Sequence, residues 1–373
     1  MGTVDLPAIP TDEVCCRFGP DGFGVYALCV ADERDAFADD EPFDAAAVEA
    51  GAWDDGPYGR GDALGSYREV TADKRRRASA LLDPARPVEA ISLGAELFVG
   101  YPGYGTRAYA QHIVVEGADP EPGFGGDVVR RQPRGTNRMV SLEERVTTTY
   151  NMGTKVNGLL HVAVGNIAYG GRRVSDVLTA GGLLELGVTT WGPPLMTRGV
   201  QIDILGLKIE RDEDDCVTTS ADGQPALRGD LRITLEDIFA ALERQSLAPP
   251  DPGDAVLFRT GWSRLIRERD RYLAGSPGLF LRECRWLADR RPALVGVDAW
   301  SWGAISEQVR RRLFGICHQE LMVRHGIRIA ESLDLDDLAA TGVDEFVFCH
   351  TPLPALGAVS SSSPPLAILN PTS

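Results

Sequence analysis

The sequence predicts a mixed α/β fold, on three observations. Strand-type and helix-type segments alternate through the second half of the chain. The stretch TLEDIFAALERQ (234–245) pairs Thr234 with Asp237 in capping-box spacing and repeats apolar residues at helical intervals. The 373 residues are 43% hydrophobic and 25% charged, enough apolar chain for a core that needs no disulfides.

The elements follow in order. Residues 1–85 differ from the rest: Asp32 to Asp62 holds eleven acidic and two basic residues, a net of −9, punctuated by Gly and Pro. This reads as a solvated acidic extension. The alternative is a lid or subunit-wrapping arm anchored by Phe37, Phe43, Trp53 and Tyr58. A helix is expected over 71–82 with Thr71 as its N-cap. The main domain spans 86–373. VQIDILG (200–206) alternates Val200, Ile202 and Ile204, a half-buried strand. The helix at 234–245 presents Leu235, Ile238, Phe239 and Leu242. DAVLFRTG (254–261) is an apolar strand, LRECRWLADRR (281–291) a helix and ALVGVDAW (293–300) a buried strand. A helix near 307–325 comes next, then strand, helix and strand in IRIAESL, DLDDLAAT and EFVFCH. The SSSSPP run (360–365) reads as a tight loop before a last strand, LAIL.

Composition excludes several roles. The net charge is −16, so nucleic acid and anionic membrane surfaces are poor partners. No run approaches the ~18 apolar residues of a spanning helix, and the N-terminus has no secretory pattern. The seven cysteines are odd in number and contain no CxxC, which predicts reduced thiols and a cytoplasmic protein. GxSxG, P-loop, HExxH and GxGxxG signatures are absent. Only three residues are lysines, Lys74, Lys155 and Lys208, so each is informative.

Two stretches carry candidate chemistry. In Tyr150-Asn-Met-Gly-Thr-Lys-Val-Asn-Gly-Leu-Leu-His161, polar residues recur at 151, 155, 157 and 161 between glycines that allow tight backbone; the alternative is a loop whose Asn and His side chains satisfy its own backbone. In the second, His318 falls on a helix and Glu331 ends the apolar strand IRIA, where a carboxylate is costly without a role. His325, before Gly326, reads as a helix C-terminal cap.

At these residues the chain resembles the cyclase family of metal-dependent hydrolases, which includes bacterial kynurenine formamidase and isatin hydrolase. GRGDALGSYREVTADKRRRA, GLLHVAVGNIAYGG, TRGVQIDI, PGDAVLFRTGW, AGSPGL, VGVDAWSW and PLPALGAVSSSSPPLAIL occur in the family's order, from about residue 57 to the end. The resemblance implies a swivelling β/β/α fold, a mixed sheet barrel with flanking helices. It also implies a homo-oligomer, dimer or tetramer, acting on a small molecule. The departure lies in the metal motif, H-x-G-T-H-x-D-x-x-x-H. Gly153, Thr154 and His161 match it, but Asn151 and Lys155 replace the two ligand histidines and Asn157 the aspartate. His318 and Glu331 match the family's C-terminal pair.

Amides are weak ligands for zinc or manganese, and an ammonium has no lone pair to give. The expectation is therefore no metal cofactor, with Lys155 standing in for the ion's charge and pairing with Glu331. His161 is then the general acid/base, Asn157 and Asn151 donate hydrogen bonds, and His318 and Glu331 complete the catalytic candidates. Tyr150, Thr154, Trp191, Trp300 and Trp302 are candidates to hold a flat organic substrate; core packing is the alternative for each tryptophan. Losing a metal-activated water favours cyclisation, dehydration or lyase chemistry on a carbonyl substrate of bacterial secondary metabolism. Two alternatives stand beside this: a Zn or Mn hydrolase using His161, His318 and Glu331, and a noncatalytic binding relative.

Overall fold

The computed structural model describes residues 42–116, 120–121, 130–131 and 136–372. Phe37 and the first 41 residues of the acidic extension lie outside them. The framework is a curled nine-stranded mixed sheet with flanking helices. Its strands, in chain order, are β1 (Glu89–Ser92), β2 (Lys155–Asn157), β3 (Leu195–Asp203), β4 (Ala255–Arg259), β5 (Leu294–Val297), β6 (Arg328–Glu331), β7 (Glu345–His350), β8 (Ser360–Ser361) and β9 (Leu366–Leu369). Their spatial order is β1-β9-β7-β3-β4-β5-β6-β2-β8. Strands β3 to β6 run parallel, and the remaining pairings are antiparallel.

The parallel centre explains the apolar runs. Every residue of β5 and β6 is buried, and only Arg259 of β4 is partly exposed. Strands covered on both faces have no polar face to alternate with. The main core gathers Val156, Trp191, Leu257, Leu294, Ala330, Phe346 and Phe348.

Most helices lie where their sequences place them. Thr71 caps Ala72–Ser79 by accepting from the Lys74 amide. The capping box of Leu235–Arg244 forms between Thr234 and Asp237. Ile238 and Leu242 are buried on that helix, whereas Phe239 is half-exposed and packs edge-on against Trp286. Leu281–Arg290 is also helical. Of the described acidic segment, Phe43 and Trp53 form an edge-to-face pair in a buried cluster with Val48, Val164, Ile167 and Val323.

Three expectations are corrected. The strand read at 200–206 spans Leu195–Asp203, and Ile204 instead opens the helix Ile204–Glu210. Asp203 caps that helix through the Gly206 amide, 3.0 Å away, so Ile204 continued the strand's alternation only by coincidence. The helix read at 307–325 is interrupted. Glu307–Arg312 ends before Gly315, whose φ of +76° suits glycine, and the chain resumes as Ile316–His318 and a π-helical turn, Gln319–Arg324. His325 caps that turn. Finally, the serine run is not only a loop: Ser360–Ser361 forms edge strand β8 on β2.

Candidate active site

Register builds the site. Antiparallel pairing of β6 with β2 sets Glu331 opposite Lys155 and Ala330 opposite Val156. Side chains alternate across a strand. Val156 and Ala330 enter the core, which leaves Lys155, Asn157 and Glu331 together on the other face. On the far side of β2, Ser360 lies opposite Asn157. Gly158 follows directly; a Cβ there would sit 2.6 Å from the Val359 carbonyl oxygen and 2.8 Å from the Trp191 ring. Beyond Glu331 the strand is stopped by Ser332, whose φ of +53° is unusual for a residue with a side chain. Thr154 holds that turn by donating its hydroxyl to the Ser332 carbonyl at 2.5 Å, while accepting from the Ala95 amide at 2.8 Å.

Glu331 is the hub, 2% exposed. Its Oε2 accepts from the Lys155 ammonium and from Asn157 Nδ2 at 2.7 Å. Its Oε1 accepts from His318 Nε2 at 2.9 Å and from the Trp302 backbone amide at 2.8 Å. Lys155 Nζ also donates to Asn157 Oδ1 at 2.9 Å. Ser360 Oγ donates to Asn151 Oδ1 at 3.0 Å and approaches Asn157 Oδ1 at 3.3 Å. Arg107 reaches the same network, its guanidinium 3.4 Å from the Asn151 carbonyl.

The electrostatics follow from burial and pairing. Burial alone would raise the Glu331 carboxyl, but Lys155 and His318 overcome it and hold the group well below the usual carboxylate range. Lys155 is shifted down, first by burial and further by Arg107, with Glu331 opposing. His161 is pushed down to about 3 by burial, then by the charges of Lys155, His318 and Arg107. Its imidazole is therefore neutral at neutral pH. Among the described residues its ring makes no hydrogen bond, so a nitrogen lone pair stands uncommitted beside a buried ion pair.

The remaining candidates divide. Tyr150 is partly exposed on the loop that leads into Asn151. Trp300 donates its indole N–H to the Gly275 carbonyl at 2.6 Å and stacks on Tyr104, ring centroids 5.1 Å apart. The indoles of Trp191 and Trp302 lie in the core, 1% and 0% exposed, with no ring surface offered to a ligand. Trp302 reaches the site through its main chain alone. Arg107, Ser360 and that backbone amide are the participants the sequence reading missed. Ser360 lay within a run read as loop, and Arg107 belongs to no motif.

A divalent metal does not fit these residues. All four acceptor positions of Glu331 are taken by N–H donors, and Lys155 occupies the oxygen a cation would need. Among the described residues, no group of three or more His, Cys, Asp or Glu side chains is arranged to hold an ion. Nor, among those residues, is any helix long and apolar enough to cross a membrane.

Comparison with known proteins agrees with this architecture. None of the curated proteins matches the sequence. A crystal structure described as a novel cyclase is similar at 22% identity and TM-score 0.66, over 84% of this chain and 98% of that one. Isatin hydrolase A from Ralstonia solanacearum is similar at 17% identity and TM-score 0.52, over 76% of this chain and 92% of its own. An isatin hydrolase bound to the product analogue thioisatinate gives 15%, 0.52, 81% and 100%. At such identities these likenesses speak to fold. The family model described as "Putative cyclase" matches residues 87–304, more than half of the chain, and the protein belongs to that cyclase family.

Proposed function

We propose that this cyclase-family protein is an enzyme that works without a metal, using Lys155 and His161 for proton transfer on a small carbonyl substrate. The observation that carries the reading is the state of Lys155. Its ammonium has three N–H donors; two go to Glu331 and Asn157, and the third is uncommitted among the described residues. A fixed, desolvated donor beside a neutral imidazole is the pair that enolisation requires. His161 accepts a proton from the carbon next to the carbonyl. The C–H electron pair becomes a carbon–carbon double bond, the carbonyl π pair moves onto oxygen, and Lys155 donates to the resulting enolate. His161 then returns the proton to another carbon, or to a departing oxygen that leaves as water or alcohol. Isomerisation, dehydration and ring closure fit this cycle. Water attack on an amide would have to rely on His161 alone to activate the water, without a metal-bound hydroxide.

Glu331 fixes the ammonium, His318 and the Trp302 amide fix Glu331, and Asn157 bridges the pair. The wider setting of the proposal, a cytoplasmic homo-oligomer in bacterial secondary metabolism, rests on the family resemblance and composition.

The test is deuterium wash-in from D2O into enolisable ketones and oxo acids, followed by NMR. Lys155→Met and His161→Asn are each expected to slow exchange by about a hundredfold or more. Prior dialysis against a chelator should change nothing. Full exchange in both variants would overturn the proposal. So would activity lost to chelator and restored by Zn²⁺ or Mn²⁺, which would return the protein to the hydrolase reading.

A further inference from the structure

We propose that the substrate is an organic acid whose carboxylate docks on Arg107, beside Asn151, with its reacting carbonyl turned toward Lys155. This deepens the functional reading above and rests on it.

The charges acting on Lys155 are the Glu331 carboxylate and the Arg107 guanidinium. Glu331 is matched by Lys155 through a direct contact. Arg107 has no carboxylate partner among the described residues, and the one hydrogen bond of its guanidinium there is the 3.4 Å contact to the Asn151 carbonyl. His161 is neutral. The site therefore holds an uncompensated positive charge, inside a protein whose net charge is −16. A cation partly removed from water next to another cation is unfavourable unless an anion completes it.

Geometry says where that anion sits. Hydrogen bonds link Arg107 to Asn151, Asn151 to Ser360, Ser360 to Asn157 and Asn157 to Lys155. Arg107 thus stands at one end of the polar row that ends on the ammonium. The planar guanidinium fork matches a carboxylate with two parallel N–H bonds. Asn151 spends its Oδ1 on Ser360, which leaves its amide N–H groups to join Arg107. The opposite end of the row presents the uncommitted Lys155 N–H and the His161 lone pair. One ligand spanning both ends carries a carboxylate at the first and a carbonyl at the second. The locally positive site in an acidic molecule would also steer small anions inward.

The test is a binding measurement on the full-length protein, which needs no turnover. The probes are 2-oxobutanoate, acetoacetate and 4-oxopentanoate, which vary the carbonyl-to-carboxylate spacing, each compared with its neutral primary amide by titration calorimetry. At least one acid is expected to bind about tenfold or more tightly than its amide. Arg107→Gln should remove that preference, weakening the acid much more than the amide, and Arg107→Lys should retain part of it. Salt at about 0.5 M should weaken the acid and spare the amide. Circular dichroism melting confirms that the variants fold. Amides that bind as well as acids, an unaltered Arg107→Gln variant, or no binding by any of the three acids would overturn the inference. The two proposals fail separately. Carboxylate preference with wild-type exchange in Lys155→Met and His161→Asn removes the mechanism and keeps the ligand class; the converse keeps the mechanism and removes Arg107.

Discussion

The two ends of the central parallel strands each bury a lysine against a carboxylate, yet only one end is built for chemistry. At the start of β4, Lys74 lies 2.5 Å from Asp254, and Arg198 lies 2.6 Å from both Asp254 and Glu345. Cations and carboxylates balance there, and each charged group points at a partner. At the end of β6, Lys155 meets Glu331, but among the described residues Arg107 adds charge without a carboxylate and the His161 ring makes no hydrogen bond. The lysines are 4% and 3% exposed, so burial does not separate the two ends. What separates them is spare capacity: a free N–H, a free lone pair and an excess charge. A buried ion pair is by itself weak grounds for function.

The sharpest way to break this comparison is to remove both lysines in turn. Lys74→Met strands Asp254 with Arg198 alone and should cost about 3–5 kcal/mol in urea unfolding, with exchange per folded molecule unchanged. Lys155→Met should cost stability on the same scale and, in addition, lower exchange by about 10²–10³. Adding Glu331→Gln to Lys155→Met removes the stranded carboxylate. That double variant is expected to regain stability but not activity. A double variant that regained both would make the Lys155 end as structural as the other.

His161 gives the next effect. His161→Asn should slow exchange about a hundredfold with little loss of stability, because the ring makes no hydrogen bond to lose among the described residues. The pH dependence sharpens the point. An imidazole held at about 3 stays neutral from pH 5 to 8, so the base limb of the rate profile should be flat there. An ordinary histidine would bend it near 6.5. Stability moves too. Between about 3 and 6.5 the unfolded chain binds a proton at His161 that the folded chain refuses, so this residue makes stability fall as pH falls. His350, pushed down to about 4 by burial, acts in the same direction. Asp298, raised to about 6 by burial, opposes both, since its folded state takes up the proton first. The measurement is therefore the difference in melting temperature between wild type and His161→Asn from pH 7 to 4.5, which should shrink or reverse toward acid. A constant difference would place His161 in an ordinary aqueous setting.

Much of this site was legible because it is written on strands. Alternation in β2 puts Lys155 and Asn157 on one face. IRIA followed by Glu331 announces a carboxylate where strand register delivers a partner. Caps were legible for a similar reason: Thr71 and Thr234 act within three residues of themselves. Arg107 was not, because it acts across 44 residues through a backbone carbonyl, a contact without a side-chain pattern. Ser360 was hidden because four serines and two prolines spell a turn, and only pairing to β2 makes a strand of them. The tryptophans erred in the other direction. Trp191 and Trp302 carry the bulk of aromatic ligand-binders, but the core uses them, and only a main-chain amide of Trp302 serves the site.

Lys208, the third lysine, supplies the smallest effect and a control for the comparison. It is buried and lies 2.6 Å from both Asp237 and Glu213. Asp237 is also the reciprocal half of the capping box, accepting from the Thr234 amide at 3.1 Å through its other oxygen. Removing the lysine therefore leaves Asp237 with its cap bonds and Glu213 partly open to water. The stranded charges are better compensated than Asp254 or Glu331 would be. Lys208→Met is expected to cost about 1–2 kcal/mol in urea unfolding, less than Lys74→Met, with exchange activity and acid-over-amide preference intact. If Lys208→Met instead impaired exchange as Lys155→Met should, loss of any buried lysine would suffice to disable the protein. The special standing of the Lys155 end would then reduce to general fragility. An intact Lys208→Met enzyme, beside a stable but inactive Lys155→Met/Glu331→Gln variant, leaves the ammonium at position 155 as the one whose charge the reaction uses.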